Sequence, residues 1–349
     1  TAERGIQFRA VERASRGAWE GLYVSAGARC LLSYTTLRNA TTALTAVGAT
    51  VQLTNCNLLL AQEDGLMAWG ATVLTATNSS FDNNTRRGLY LEGYEVTGAI
   101  SNCQFRQNGE YPVWLKATAA EMLKGGNRYA GNGVSRLAVS CSLATDIADE
   151  DVWTAQGLDF DLTVGAGDHV LTVAAGGRLT LGRGVQVRAS ALDVAGQFNA
   201  QGESGAPCRL LSPRETPAPG DWEGVVLRSG SRAALDWLEV AHARTGLTAD
   251  GAVLRLWDST VHHSLYDGVR LTGASVANLR RTRFAGNGRH GAKLEGRALT
   301  GLIKNCIFEG NAAQPVWAMA QAVELLRNPN TYTANGLQRL AVSCADDPD

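Results

Sequence analysis

The sequence predicts an all-β chain, a parallel β-helix in two tandem homologous units, and three observations carry that expectation. Apolar and polar residues alternate over short stretches such as Val51-Gln-Leu-Thr and Val253-Leu-Arg-Leu, the period of a strand with one buried face. Between these stretches stand Asn and Gly, as at Asn83-Asn84, Asn108-Gly109, Asn132-Gly133 and Asn287-Gly288, residues that tolerate the left-handed backbone of tight corners. The pattern returns about every 23 to 24 residues, and a much longer stretch returns 203 positions on.

The short period defines the coil. Gly65-Leu-Met-Ala, Gly88-Leu-Tyr-Leu and Pro112-Val-Trp-Leu mark one strand, and the strings ending at Leu58, Phe81 and Phe105 mark another. A strand this short cannot bury its apolar face alone. Stacking successive copies along an axis gives each strand parallel partners about 4.8 Å above and below and closes a shared core. Leucine-rich repeats have a similar period but need a fixed Leu-x-x-Leu-x-Leu-x-x-Asn frame, which is absent. Helical repeats fit worse, because Gly interrupts most windows and none keeps a clean 3.6-residue period.

The long period defines the units. Trp19-Glu20-Gly21 returns as Trp222-Glu223-Gly224, Asp64-Gly65 as Asp267-Gly268, Phe81 as Phe284, Pro112-Val113-Trp114 as Pro315-Val316-Trp317, and the run closing at Cys141 as that closing at Cys344. No gap interrupts the alignment, so the turns keep their lengths too. The expected organisation is a first unit over residues 1–145 without its N-terminal coils, an acidic linker over 146–157, and a second unit with N-terminal capping coils over 158–349. The chain reads as an excerpt of a longer array.

Composition removes other classes. The 349 residues are 45% hydrophobic and 19% charged, with 39 Gly, 8 Pro and a net charge of -1. That much apolar surface at so little net charge excludes a disordered chain. No apolar run approaches the roughly 18 to 20 residues of a membrane span, and the balanced charge argues against a dedicated nucleic-acid surface. Thr1 opens no basic, then apolar leader, so a signal peptide is either lacking or removed. Seven cysteines, none in a CxxC or CxxH pair, read as small buried hydrophobes rather than zinc ligands.

The strand strings resemble the right-handed parallel β-helix repeats of the pectate-lyase-like superfamily, which pair a Gly-Ile/Leu-x-Leu strand with an Asn-x-x-Phe/Ile strand. Residues 162–222, with Leu171-Thr-Val-Ala-Ala-Gly-Gly-Arg-Leu-Thr-Leu and Gly220-Asp-Trp-Glu-Gly, resemble the opening coils of bacterial surface and secreted β-helix proteins. The resemblance implies the right-handed coil and an extracellular or cell-surface setting. It leaves function open, since the architecture carries lyases, hydrolases, epimerases, adhesins and spacers. The marks of its enzymes are missing: there is no Arg-x-Lys pair, no Asp-Asp pair on a rung and no Tyr-Gly-Phe-Asp-Pro-His string. Only four of the 32 Lys and Arg residues are Lys (Lys116, Lys124, Lys293 and Lys304).

Single residues supply candidates, each weighed against a bland role. Asp64 with Arg86, and Asp267 with Arg270, could form an acid and base pair beside strand-starting glycines; turn capping is the competing role. Glu92 and Glu295 end matching strands, where an exposed salt bridge is the simpler reading. His262-His263 has no counterpart in the first unit and could move protons or bind metal. Asp159 and Asp161 would face one way from a strand and suit calcium, against a solvated outer face; no other cofactor is called for. Trp69, Tyr90 and Tyr94 could stack on sugar rings, whereas Trp19/Trp222 and Trp114/Trp317 read as structural. The leading expectation is a β-helical stalk or binding surface for a polysaccharide or a surface protein. A polysaccharide lyase or glycoside hydrolase is the alternative, and self-association through helix ends into a filament is a third.

Overall fold

The structure, a computed structural model, describes residues 5–11, 15–93, 95–141, 146–162, 169–327 and 329–344. Contacts divide the chain into one unit of Thr1–Ser140 with Thr154–Val164 and another of Cys141–Trp153 with Gly165–Asp349. Each is a parallel β-helix with three faces per coil. In the second unit one coil runs through Val253–Trp257 on the first face, Thr260–His262 on the second and Val269–Thr272 on the third. The next coil stacks in register, Val253 on Val276, Thr260 on Arg283 and Val269 on Ala292. This unit's first face runs from Glu150–Trp153 to Leu326–Arg327, its second from Gln186–Arg188 to Thr331–Thr333, and its third from Val170–Val173 to Ala341–Ser343.

The first unit has the same plan. Its first face holds Arg29–Ser33, Thr50–Thr54, Val73–Thr77 and Thr97–Ser101; its second runs from Ile6–Phe8 to Arg128–Ala130 and its third from Leu22–Val24 to Phe160–Asp161. Alternation sets the orientation of every strand: Leu254 and Leu256 are buried while Val253, Arg255 and Trp257 between them are half-buried. Within the acidic stretch 146–157, Glu150–Trp153 forms a strand paired with Arg178–Leu181, its Asp151 and Trp153 turned inward.

The corners explain the Asn and Gly signal. Asn55, Asn78 and Asn102 turn the first face into the second at φ 54, 52 and 53°, a region Asn enters more readily than other residues with a side chain. In the second unit Trp237, Asp258 and Arg281 hold the same corner at φ 51, 52 and 50°. After the second face, Asn84, Asn108 and Asn132 stack as an amide ladder: Asn84 Nδ2 donates to Asn108 Oδ1 at 3.0 Å, and Asn108 Nδ2 to Asn132 Oδ1 at 2.9 Å. Each Oδ1 also accepts the backbone N–H of the residue one coil back, Asn84 N to Asn108 at 3.1 Å and Asn108 N to Asn132 at 3.1 Å. Asn287, Asn311 and Asn335 repeat the ladder in the second unit.

Inside the corner, rings stack as the strands do. Phe81 lies 5.0 Å from Phe105, which lies 5.4 Å from Tyr129; Phe284, Phe308 and Tyr332 follow at 5.1 and 5.6 Å. Six-residue 3₁₀ segments, Ala117–Met122 and Ala320–Leu325, replace the tight corner after Val113–Lys116 and Val316–Met319. Asn108→Ala removes the buried Oδ1 that accepts from both Asn84 N and Asn84 Nδ2, so a loss of about 1–3 kcal/mol is expected; urea unfolding of the variant and wild type measures it.

Candidate functional site

Asp64 lies where the chain enters a third-face strand, and there it is 1% exposed. Its carboxylate takes two of the three nitrogens of the Arg87 side chain, Nε at 2.9 Å and Nη2 at 3.1 Å, together with the Arg87 backbone N–H at 3.0 Å. The partner is therefore Arg87, not the neighbouring Arg86, which is half-exposed and pairs with Glu110 at 3.3 Å. Burial pushes the Asp64 carboxyl up in pKa against the pull of Arg87. Asp267 does the same work with a different partner, accepting the His290 N–H at 3.1 Å and meeting His290 Nδ1 at 2.8 Å, both residues buried. Arg270 pairs with Glu295, whose other oxygen meets Lys293 Nζ at 2.7 Å. Asp64 and Asp267 thus tie one coil to the next.

The sequence candidates for stacking divide. Tyr90 and Trp114 are register partners on the outer side of the third face, 5.3 Å apart, with Tyr111 6.5 Å from Trp114. The Arg87 guanidinium covers them, 3.6 Å from the Tyr90 ring centre and 4.7 Å from that of Trp114. Burial and a hydrogen bond to Glu92 hold the Tyr90 hydroxyl at about 12. Trp69 is half-buried on the same face, and Tyr94 lies outside the described residues. Trp19 and Trp222 act structurally, donating Nε1–H to Arg38 O at 2.9 Å and Ala241 O at 2.8 Å. Asp161 is 3% exposed and meets Arg136 at 3.2 Å, so its side of the strand is not a solvated face; Asp159 is half-buried. Among the described residues no group of three or more His, Cys, Asp or Glu side chains is placed to hold a metal ion.

A different surface gathers chemistry in the second unit. A groove of about 800 Å³ runs along its second face, lined among others by Trp237, Glu239, His262, His263, Arg283 and Glu309. Register builds it: Glu239 stacks on Thr260 and Thr260 on Arg283, while Ala241, His262, Ala285 and Glu309 form the next column. Glu239 receives Arg209 Nε at 2.8 Å and faces His262 Nε2 at 3.2 Å. His262 Nδ1 lies 2.7 Å from His263 Nδ1, and the His263 ring stacks on His242 at 5.5 Å. Arg283 pairs with Glu309, and Arg281 with Asp258 at 2.6 Å.

The protons in this chain follow from the carboxylate. Hydrogen bonding from His262, then Arg209, holds Glu239 at about 2, so at neutral pH it only accepts and His262 carries a proton on Nε2. The Nδ1 atoms of His262 and His263 share one hydrogen between them, and His263 Nε2 lies beside Gly286 of the groove lining. Burial, then the positive charge of neighbouring groups, lowers the pKa of His263, and burial with its two neighbouring imidazoles lowers that of His242. Of this site the sequence marked His262 and His263. Glu239, Arg283 and Glu309 were unmarked, although a period-aligned reading of the second face would have stacked them.

The family model described as "Right handed beta helix region" matches residues 13–145. The chain is a right-handed, all-β, parallel β-helical repeat protein. No match emerges from the curated proteins or from the solved structures. Among the described residues no helix is long and apolar enough to cross a membrane.

Two measurements probe these clusters. Arg87→Ala strands a buried carboxylate, and a loss of about 3–5 kcal/mol in unfolding free energy is expected. Glu239 has a folded pKa below its unfolded value of about 4.3, so its contribution is present above that value and fades as the pH falls toward 2. The stability gap between wild type and Glu239→Gln is therefore expected to shrink from about pH 4 to pH 3; a gap that widens contradicts this ionisation.

Proposed function

We propose that this chain is a structural β-helical scaffold, two tandem copies of one unit, that offers the second-face groove of its second unit to carbohydrate at the cell surface or outside the cell. The groove carries the reading. Its volume of about 800 Å³ suits a ligand of a few sugar rings, and its lining joins an indole to acids, bases and imidazoles. Trp237 is 36% exposed at a left-handed corner, where its ring can take the apolar face of a sugar. Glu239 and Glu309 are already oriented by Arg209 and Arg283, so hydroxyl groups meet acceptors and donors whose rotamers are set. The duplicated unit is supported by equivalent contacts 203 positions apart, such as the Trp19 and Trp222 bonds and the two Asn ladders.

A polysaccharide-cleaving enzyme is the second reading. The Glu239, His262 and His263 chain favours it, because linked imidazoles that end on a carboxylate can relay a proton. A glycan array followed by calorimetry on the best ligand separates the two. Trp237→Ala is expected to weaken binding at least about tenfold with no product formed by wild type. Turnover that disappears in His263→Ala would replace the scaffold reading, and unchanged affinity in Trp237→Ala would remove the groove from it.

A further inference from the structure

Register stacks the closing residues of successive first-face strands into one column on the outside of the coil. In the first unit the column is Ser33, Thr54, Thr77 and Ser101. In the second it is Gln201, Asp236, Trp257, Arg280, Lys304 and Arg327. The hydroxyl column shows that a small neutral residue suits this position, so the coil does not require cations there. Three like charges on successive rungs, about 4.8 Å apart, work against folding.

Asp236 pairs with Arg255 at 2.5 Å and Asp258 with Arg281 at 2.6 Å, while Arg280, Lys304 and Arg327 make no ion pair among the described residues. The surroundings are also poorly satisfied: Asp236 Oδ1, Arg255 Nε, Trp257 Nε1 and Arg280 Nε are buried without hydrogen-bond partners. Natural cores leave few such atoms, and here four fall at one patch, one of them on Arg280 itself.

We propose that this column is a docking track for a sulfated polysaccharide lying along the coil axis, with sulfate groups on Arg280, Lys304 and Arg327. Sulfate esters project from the sugar on exocyclic oxygens and reach cations set one rung apart, and guanidinium groups take such oxyanions through paired N–H donors. A single-stranded nucleic acid fits less well, since those sites combine a basic track with aromatic rings free to stack on bases. The Trp257 ring is already faced by Arg255 and Arg280, at 4.6 and 5.3 Å.

Calorimetry of the full chain with a heparin oligosaccharide at about 0.15 M salt tests this. Arg280→Thr and Lys304→Ser install the residue types of the hydroxyl column, and Arg327→Gln changes an exposed strand end. Each single variant is expected to weaken binding about tenfold, with a shallower salt dependence and an unfolding midpoint equal to or above that of wild type. Trp237→Ala is expected to keep wild-type heparin affinity, so this track and the groove fail separately. Wild type that does not bind, or variants that bind as wild type does, would overturn the track. So would equal affinity for desulfated heparin, polygalacturonate or single-stranded DNA.

Discussion

Parallel stacking in register is the constraint on which everything else in each unit rests. A strand of three to five residues sends its backbone N–H and C=O groups along the axis to the coils before and after it, so pairing is satisfied only if each coil returns to the same place. One consequence is geometric: a position in the coil becomes a column with about 4.8 Å between neighbours. Side chains are then selected against copies of their own position. Asn works in the corner column because its amide both donates and accepts, so Asn84, Asn108 and Asn132 bond in series. Phe81 and Phe105 stack at 7° between ring planes for the same reason.

Columns that face inward are alike in kind in the two units, and outward columns differ more. On the third face the first unit pairs Tyr90 with Trp114, and the second pairs Lys293 with Trp317. The buried tether at the strand entrance changes partner, Asp64 with Arg87 against Asp267 with His290. Both solutions satisfy a carboxylate that also holds a backbone N–H of the next coil. The outward charges of the groove are ion-paired, whereas Arg280, Lys304 and Arg327 of the first face make no ion pair among the described residues.

Much of the coil was legible in the sequence because a repeated period over-determines it. The strands at Leu66, Leu89 and Val113, the Asn corners and the Phe positions all follow from spacing. The pairing of side chains was not legible. Arg86 and Arg87 are adjacent in sequence, yet only Arg87 pairs with Asp64 while Arg86 pairs with Glu110. Asp159 and Asp161 read alike, but the fold gives Asp161 an arginine and a buried site. His262 and His263 looked like an isolated pair, and their meaning depends on Glu239, a full coil earlier.

What the sequence determined alone was the repeat: its period, its alternation of buried and exposed positions and its left-handed corners, because these depend on local backbone preference and on burial shared by every copy. The tertiary structure alone decided which outward side chains became neighbours. Those neighbours lie one coil apart, about 23 residues along the chain, and only the stacking register brings Arg280 beside Lys304, or Glu239 within reach of His262. The opening expectation of stacked strands therefore gave the coil, and the register converted it into surfaces with particular chemistry.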